Sequence, residues 1–291
     1  MLAITCEVME ADTGPRYCSG MMKQPSTEQP ARVGDLIREW RTRRRLSQLD
    51  LALEAGISQR HLSFVESGRS APSREMVETL SEHLGLQLRE RNVLLLSAGF
   101  APAFAERRLT DPSMSAARNA VELVLRGHEP NPALAVDRYW RLVMANAVVG
   151  PLLALVSDKS LLEGEVNVLR ISLHPGGLAP HIANLAGWKA HLLHRLNQQI
   201  DVSADPKLIA LEKELAAYPA PGPKGLLASL DDIAIPFELK LGGQALSFIS
   251  TTTIFGTPVD VTLSELAIEA FYPVNSETAA AMQAMAKAQK N

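Results

Sequence analysis

The N-terminal fold is decided by residues 47–68, which read SQLDLALEAGISQRHLSFVESG. Ser47 is a favourable helix N-cap and Asp50 follows three residues later, which is the spacing of a capping box. Gly56 and Gly68 stop the two helices that follow, because glycine readily adopts a positive φ at a helix end. The stretch therefore predicts two short helices joined by a tight turn.

Apolar residues at helical spacing extend this pair in both directions. Leu36, Ile37 and Trp40 form the apolar face of a helix before the pair. A fourth helix is expected to begin after Pro72, and a fifth helix is expected to end at Ala98. Residues 32–98 are therefore predicted to form an all-α domain of five helices, preceded by a loose tail at residues 1–31.

Positive charge is concentrated in this domain, although the whole chain has a net charge of −3. Residues 32–74 hold nine arginines against five acidic residues. A local basic face on a small domain favours a polyanionic partner, although a solvated helix face would show the same charge.

The pattern of residues 47–68 resembles the helix-turn-helix of the Xre/Cro-type phage repressor family. The resemblance implies that the second helix enters the major groove of double-stranded DNA and that Gln48 contacts a phosphate. The Arg60 guanidinium can form two hydrogen bonds to the edge of a guanine, and the Gln59 amide can do so with an adenine. Phe64 contacts a thymine methyl group or packs on the first helix, and Glu66 is expected to pair within the domain. The predicted DNA-binding residues are Gln48, Ser58, Gln59, Arg60, Ser63, Phe64, Arg69 and Arg74.

The rest of the chain predicts a connector at residues 99–132 with one helix, Ser115–Arg126, and an α+β domain at residues 133–274. Two long helices are expected at Pro180–Ile200 and Asp205–Ala217, and a helix at residues 275–291 closes the chain. The strands are predicted from apolar alternation and from a Gly242-Gly243 hairpin turn. They are Ala133–Asp137, Arg141–Ala145, Ile235–Leu241, Gln244–Thr253, Val259–Leu263 and Leu266–Tyr272.

Four segments of this second domain resemble the MmyB-type ligand-binding domain. They are DRYWRLVMANA at 137–147, NVLRISLHPGGL at 167–178, NLAGW at 184–188 and LSFISTTTIFGTP at 246–258. The resemblance implies a PAS-like fold, with five antiparallel strands, helices over one face and an enclosed apolar cavity. It also implies that some relatives hold a fatty acid in that cavity.

The candidate ligand-binding residues are apolar side chains expected on the inner faces of these elements, with a few polar groups at the mouth. Each apolar one could equally be plain core, and Arg170 could instead form an internal ion pair. The candidates are Trp140, Leu142, Met144, Leu169, Arg170, Leu173, His174, Asn184, Trp188, Leu192, Phe237, Phe248 and Phe255.

Several classes of protein are disfavoured. Cys6 and Cys18 are too few for a disulfide scaffold or a zinc finger, and no apolar run is long enough to cross a membrane. No catalytic or phosphate-binding motif occurs, and His191 and His194 lack further metal ligands nearby. No cofactor, metal or catalytic residue is therefore predicted, and a cytoplasmic location is expected.

These observations predict a sequence-specific transcription regulator that binds DNA as a homodimer and senses a small apolar ligand, a fatty acid or acyl compound. Two alternatives remain for the second domain. It could be a protein-interaction or dimerisation module without a ligand, or an enzyme fused to a DNA reader.

Overall fold

The computed structural model describes residues 31–221, 235–256 and 258–289. Its N-terminal part contains the five predicted helices, so the all-α fold of this region is confirmed. They are α1 (Val33–Arg43), α2 (Gln48–Glu54), α3 (Gln59–Glu66), α4 (Arg74–His83) and α5 (Leu88–Ser97). The predicted N-terminal tail lies outside the described residues, apart from Ala31.

A capping box explains where α2 begins, and a glycine explains how closely α1 approaches α3. The Ser47 side chain accepts from the Asp50 N–H at 3.1 Å, and the Asp50 carboxylate accepts from the Ser47 N–H at 3.0 Å. The backbone of α1 approaches α3 so closely at Gly34 that an added Cβ would lie 2.2 Å from the Val65 carbonyl oxygen. Only glycine permits this crossing, which packs the helices around a core that includes Ile37.

The second part of the chain is α+β, as predicted. Among its described residues, five antiparallel strands form one sheet in the order β2-β1-β5-β4-β3. The strands are β1 (Ala133–Val136), β2 (Leu142–Ala145), β3 (Phe237–Leu241), β4 (Gln244–Ile254) and β5 (Ala267–Pro273). The helices are α6 (Ser115–Gly127), α7 (Val149–Ala154), α8 (Val168–Leu173), α9 (Leu185–Ser203), α10 (Pro206–Ala217), α11 (Val261–Ser264) and α12 (Ser276–Gln289).

One predicted strand is wrong. Residues 259–263 were expected to be extended, but Val261–Ser264 form the short helix α11. The Asp260 carboxylate accepts a hydrogen bond from the Thr262 N–H at 2.9 Å and so caps a helical turn. This local bond competes successfully with the weak strand preference of the flanking valines.

Helices cover both faces of the sheet, whereas the resemblance implied helices over one face. Helices α8, α9 and α10 pack on the inner face around the larger core. Helix α6 lies on the outer face, where Val121 and Leu125 pack against Ala133, Ala135 and Ile268. The helix predicted in the connector therefore packs directly on the sheet.

Candidate DNA-binding surface and ligand cavity

Helix α3 presents its N-terminal end to solvent. The Ser58 side chain caps it by accepting from the His61 N–H at 3.2 Å, and Gln59 and Arg60 are exposed. Buried Leu62 fixes the opposite face in the core. The exposed end thus carries an amide and a guanidinium, the two groups that bond bidentately to adenine and guanine in a major groove.

Phe64 lies between two arginines. Its half-buried ring has the Arg60 guanidinium at 5.3 Å and the Arg69 guanidinium at 5.9 Å from its centroid. Such cation–π contacts favour a defined side-chain orientation. The ring therefore helps to position Arg60 on α3 and Arg69 beyond the C-terminal end of α3, in addition to any contact it makes itself.

A buried carboxylate connects the first three helices. Glu66 at the end of α3 accepts from Arg41 on α1 at 2.6 and 2.9 Å and from the Gln48 amide on α2 at 2.8 Å. Burial alone would raise the pKa of Glu66, but the bonds from Arg41 and Gln48 and the charge of Arg38 lower it overall. The predicted intradomain pairing of Glu66 is thus confirmed, and the second N–H of the Gln48 amide remains available to a phosphate.

Arg69 and Arg74, which follow α3 in the predicted DNA-binding set, differ in their surroundings. Arg69 is exposed next to the C-terminal end of α3. Arg74 instead pairs with Glu78 at 2.9 Å and donates to the Ala101 carbonyl at 3.2 Å. Arg69 can therefore bind a phosphate without breaking a bond shown in the structure. Arg74 would have to share its N–H donors with Glu78 and the Ala101 carbonyl.

An apolar cavity of about 100 Å³ lies between the inner face of the sheet and the helices α7, α8 and α9. Its walls come from strands β1, β2, β3, β4 and β5 as well as from these helices. Of the residues expected there, seven line it: Trp140, Leu142, Leu169, Trp188, Leu192, Phe237 and Phe248.

Met144 and Phe255 do not line the cavity, which corrects the prediction. The pairing register between β1 and β2 shifts, so that Met144 faces Ala135 while Leu142 faces Val136. This β-bulge turns Met144 to the outer face, although simple alternation would keep it on the same face as Leu142. Phe255 follows the end of β4 and, like Met144, packs against the outer cluster.

Arg170 and His174 also lie outside the cavity wall. Arg170 forms a two-bond ion pair with Glu214 on α10, each bond 2.8 Å long, which is the alternative left open for it. The His174 ring accepts from the Gly176 N–H at 3.0 Å and contacts the Tyr218 ring edge-on. Both residues therefore fasten α8 to its neighbours.

Leu173 and Asn184, which were also expected in the cavity wall, lie outside it. Leu173 is buried in the larger core but is not part of the cavity wall. The Asn184 side chain donates to the Pro236 carbonyl at 2.8 Å and accepts from the Glu238 N–H at 3.3 Å. The Asn184 side chain therefore connects the start of α9 to the start of β3 and stabilises their packing.

The cavity has two charged residues in its wall that were not predicted, Arg195 on α9 and Glu269 on β5. Their side chains form two hydrogen bonds of 2.8 and 3.0 Å. A signal for each exists in the sequence. Arg195 follows Trp188 and Leu192 at helical spacing, and Glu269 lies between Ala267 and Phe271 on the apolar face of its strand.

A polar cleft of about 460 Å³ lies on the other side of this charged pair and contains residues of both domains. Arg89 on α5 donates to the Glu265 carboxylate at 2.7 and 2.9 Å. Arg138, in the turn between β1 and β2, donates to Glu265 at 2.9 Å, to Asp205 at 3.1 Å and to Glu90 at 3.4 Å. This ion network joins the two domains.

The histidines form no metal site within the described part of the chain, where no group of three or more His, Cys, Asp or Glu residues could hold an ion. His191 stacks on Trp188, with ring centroids 5.4 Å apart. Burial, followed by the charge of Arg195, lowers the pKa of His191 below its ordinary value, which favours the neutral ring. Over the same residues, no helix is both long and apolar enough to cross a membrane.

An exposed recognition helix joined to a domain with an apolar cavity defines a DNA-binding transcription regulator with a ligand-binding domain. Comparison with known families agrees. A helix-turn-helix model matches residues 37–91, and a model of the MmyB-like transcription regulator ligand binding domain matches residues 117–285. The chain therefore belongs to the family of MmyB-like transcription regulators. A comparison with curated proteins gave no match.

Proposed function

We propose that this protein regulates transcription by binding a specific DNA sequence and that a small apolar ligand, a fatty acid or another acyl compound, controls this binding. The observation that carries the proposal is the cavity, whose wall is almost entirely apolar. Residues of five strands and three helices form this wall. An acyl chain suits such a wall because its binding removes apolar surface from water.

The DNA-reading part of the proposal rests on α3. Gln59 and Arg60 read base edges from its N-terminal end, with Ser63 one turn further along. Gln48 and Arg69 hold phosphates on either side, and Arg74 assists. One such helix covers one half-site, so a homodimer on a pseudo-palindromic site is part of the proposal, as is action in the cytoplasm.

The proposed route of control is the turn at residues 137–141. Trp140 contacts the cavity, and Arg138, two residues earlier, pairs with Glu265 and so with Arg89 on α5. A ligand that binds one arrangement of this turn more tightly shifts DNA binding by that difference in affinity.

Native mass spectrometry of the protein purified from its native cells tests the proposal, followed by extraction of any bound mass into organic solvent. We expect an acyl compound. A ligand-free protein whose melting temperature does not change across a panel of acyl chains would refute ligand sensing. That result would favour the alternative that the second domain is an interaction module.

A further inference from the structure

One end of the cavity is formed by Arg195 and Glu269, and the opposite charges of these two side chains neutralise each other. Both terminal nitrogens of Arg195 bond to the Glu269 carboxylate, and Nη2 also donates to the Thr252 hydroxyl at 2.7 Å. Thr252 in turn donates to Glu269 at 2.8 Å. Arg195 and Glu269 are the only charged residues in the cavity wall within the described chain, so this end has no net charge.

A ligand carboxylate at this end would either displace Glu269 from Arg195 or lie beside Glu269 as a second negative charge without a counter-cation. Only 4% of the surface of Glu269 is exposed, so the displaced carboxylate would remain buried without its partner. Breaking a buried ion pair in this way is strongly unfavourable. The Arg195 guanidinium also lies 4.9 Å from the centroid of the Trp140 ring, which restricts its movement toward a ligand.

An uncharged polar group avoids this cost. A guanidinium has five N–H groups, and the pair with Glu269 and Thr252 leaves some of them free for an ester or amide carbonyl. Such a carbonyl needs no counter-charge and leaves the ion pair intact. We therefore propose that Glu269 makes the cavity selective for uncharged acyl compounds, such as esters, amides or alcohols, over the corresponding free carboxylates.

This inference rests on the proposed function, because it assumes that the cavity binds a ligand. The test compares methyl butanoate with butanoate, whose size suits a cavity of about 100 Å³, at pH 7.5, using the full-length protein and isothermal titration calorimetry. We expect the ester to bind at least about tenfold more tightly than the acid, since only the acid must break the pair or bring an uncompensated charge into the cavity.

Glu269→Gln is the informative variant. It keeps the size of the side chain and its bond to Thr252, but it leaves the charge of Arg195 uncompensated. The acid should then bind about tenfold more tightly than it does to the wild type, whereas affinity for the ester changes little. Glu238→Gln removes the same charge from β3, away from the cavity wall, and should leave both affinities unchanged.

The outcomes separate the two proposals. Binding of neither compound to any of these proteins would overturn ligand sensing, and the selectivity with it. Equal or tighter binding of the acid to the wild type would overturn the selectivity alone, as would an unchanged ratio in Glu269→Gln. If Glu269→Gln does not fold, the wild-type comparison of ester and acid still decides the question.

Discussion

The indole nitrogen of Trp140 donates a hydrogen bond of 2.9 Å to the Gln199 side chain, and the amide nitrogen of Gln199 donates to the Arg138 carbonyl at 2.7 Å. One side chain of α9 thus holds two residues, Arg138 and Trp140, of the turn at residues 137–141. Trp140 has a φ of +62°, a backbone conformation that is uncommon for a bulky residue and is kept only where the surroundings enforce it. The turn that contacts the cavity is therefore held in one arrangement by α9.

Weakening the interdomain ion network should loosen α5. In Glu265→Gln, Arg89 and Arg138 lose the carboxylate that they share. We expect amide hydrogens in α5 to exchange faster, measured by hydrogen–deuterium exchange with mass spectrometry, because the helix loses its main anchor on the second domain.

Glu106→Gln is the matched control for this change. Glu106 also pairs with Arg89, but its side chain is 53% exposed, and exposed pairs contribute little to stability. Unaltered exchange of α5 in Glu265→Gln would mean that the network does not hold the domains together.

Loss of the buried carboxylate of Glu66 should destabilise the DNA-binding domain. In Glu66→Gln, the largely buried Arg41 loses its charged partner, and we expect the free energy of unfolding to fall by about 3 kcal/mol. Urea denaturation followed by circular dichroism measures this change. Glu78→Gln, which breaks the exposed pair with Arg74, should cost only about 0.5 kcal/mol.

The cost of Glu66→Gln should also depend on pH. The folded protein lowers the pKa of Glu66 below its ordinary value of 4.5, so the ionised side chain stabilises the fold at neutral pH. This stabilisation is lost as the pH falls from the unfolded pKa through the lower folded pKa. The difference in stability between wild type and variant should therefore shrink below about pH 4.5. A constant difference down to pH 3 would contradict the lowered pKa.

Arg60→Ala tests base reading by α3. On a binding site selected from random DNA, we expect a loss of about 1–3 kcal/mol and a relaxed preference at one base position. Arg60→Lys keeps the charge but cannot form the bidentate bond, so it should relax the preference while retaining more of the affinity. Fluorescence anisotropy on single-base variants of the site measures both effects. An equal loss on every sequence would assign Arg60 to the phosphate backbone instead.

Arg69→Ala tests the phosphate contact. Affinity should fall by a similar factor on all sequences, and the slope of log affinity against log salt should decrease by about one unit, since one fewer counterion is released. Arg126→Ala removes the same charge from α6, in the second domain, and should leave the slope unaltered. A wild-type slope in Arg69→Ala would remove Arg69 from the DNA interface.

Much of the N-terminal domain was predictable because its signals are local. The capping box at Ser47 and the positive φ of Gly56 depend on residues within one helical turn, and the structure contains both. Apolar alternation likewise predicted that Leu142 and Phe248 line the cavity, and both do. It failed at Met144, where a bulge turned the strand over, and at residues 259–263, where one aspartate capped a helical turn.

Caps, glycine turns and hydrophobic periodicity act between near neighbours, so the fold class and the order of most elements could be predicted from the residues alone. The charge of the cavity depends on tertiary packing. Arg195 and Glu269 are 74 residues apart, and they meet because α9 packs across the inner face of β5. The sequence places each of them on the apolar face of its own element, but only the packing that removes water from both makes them partners.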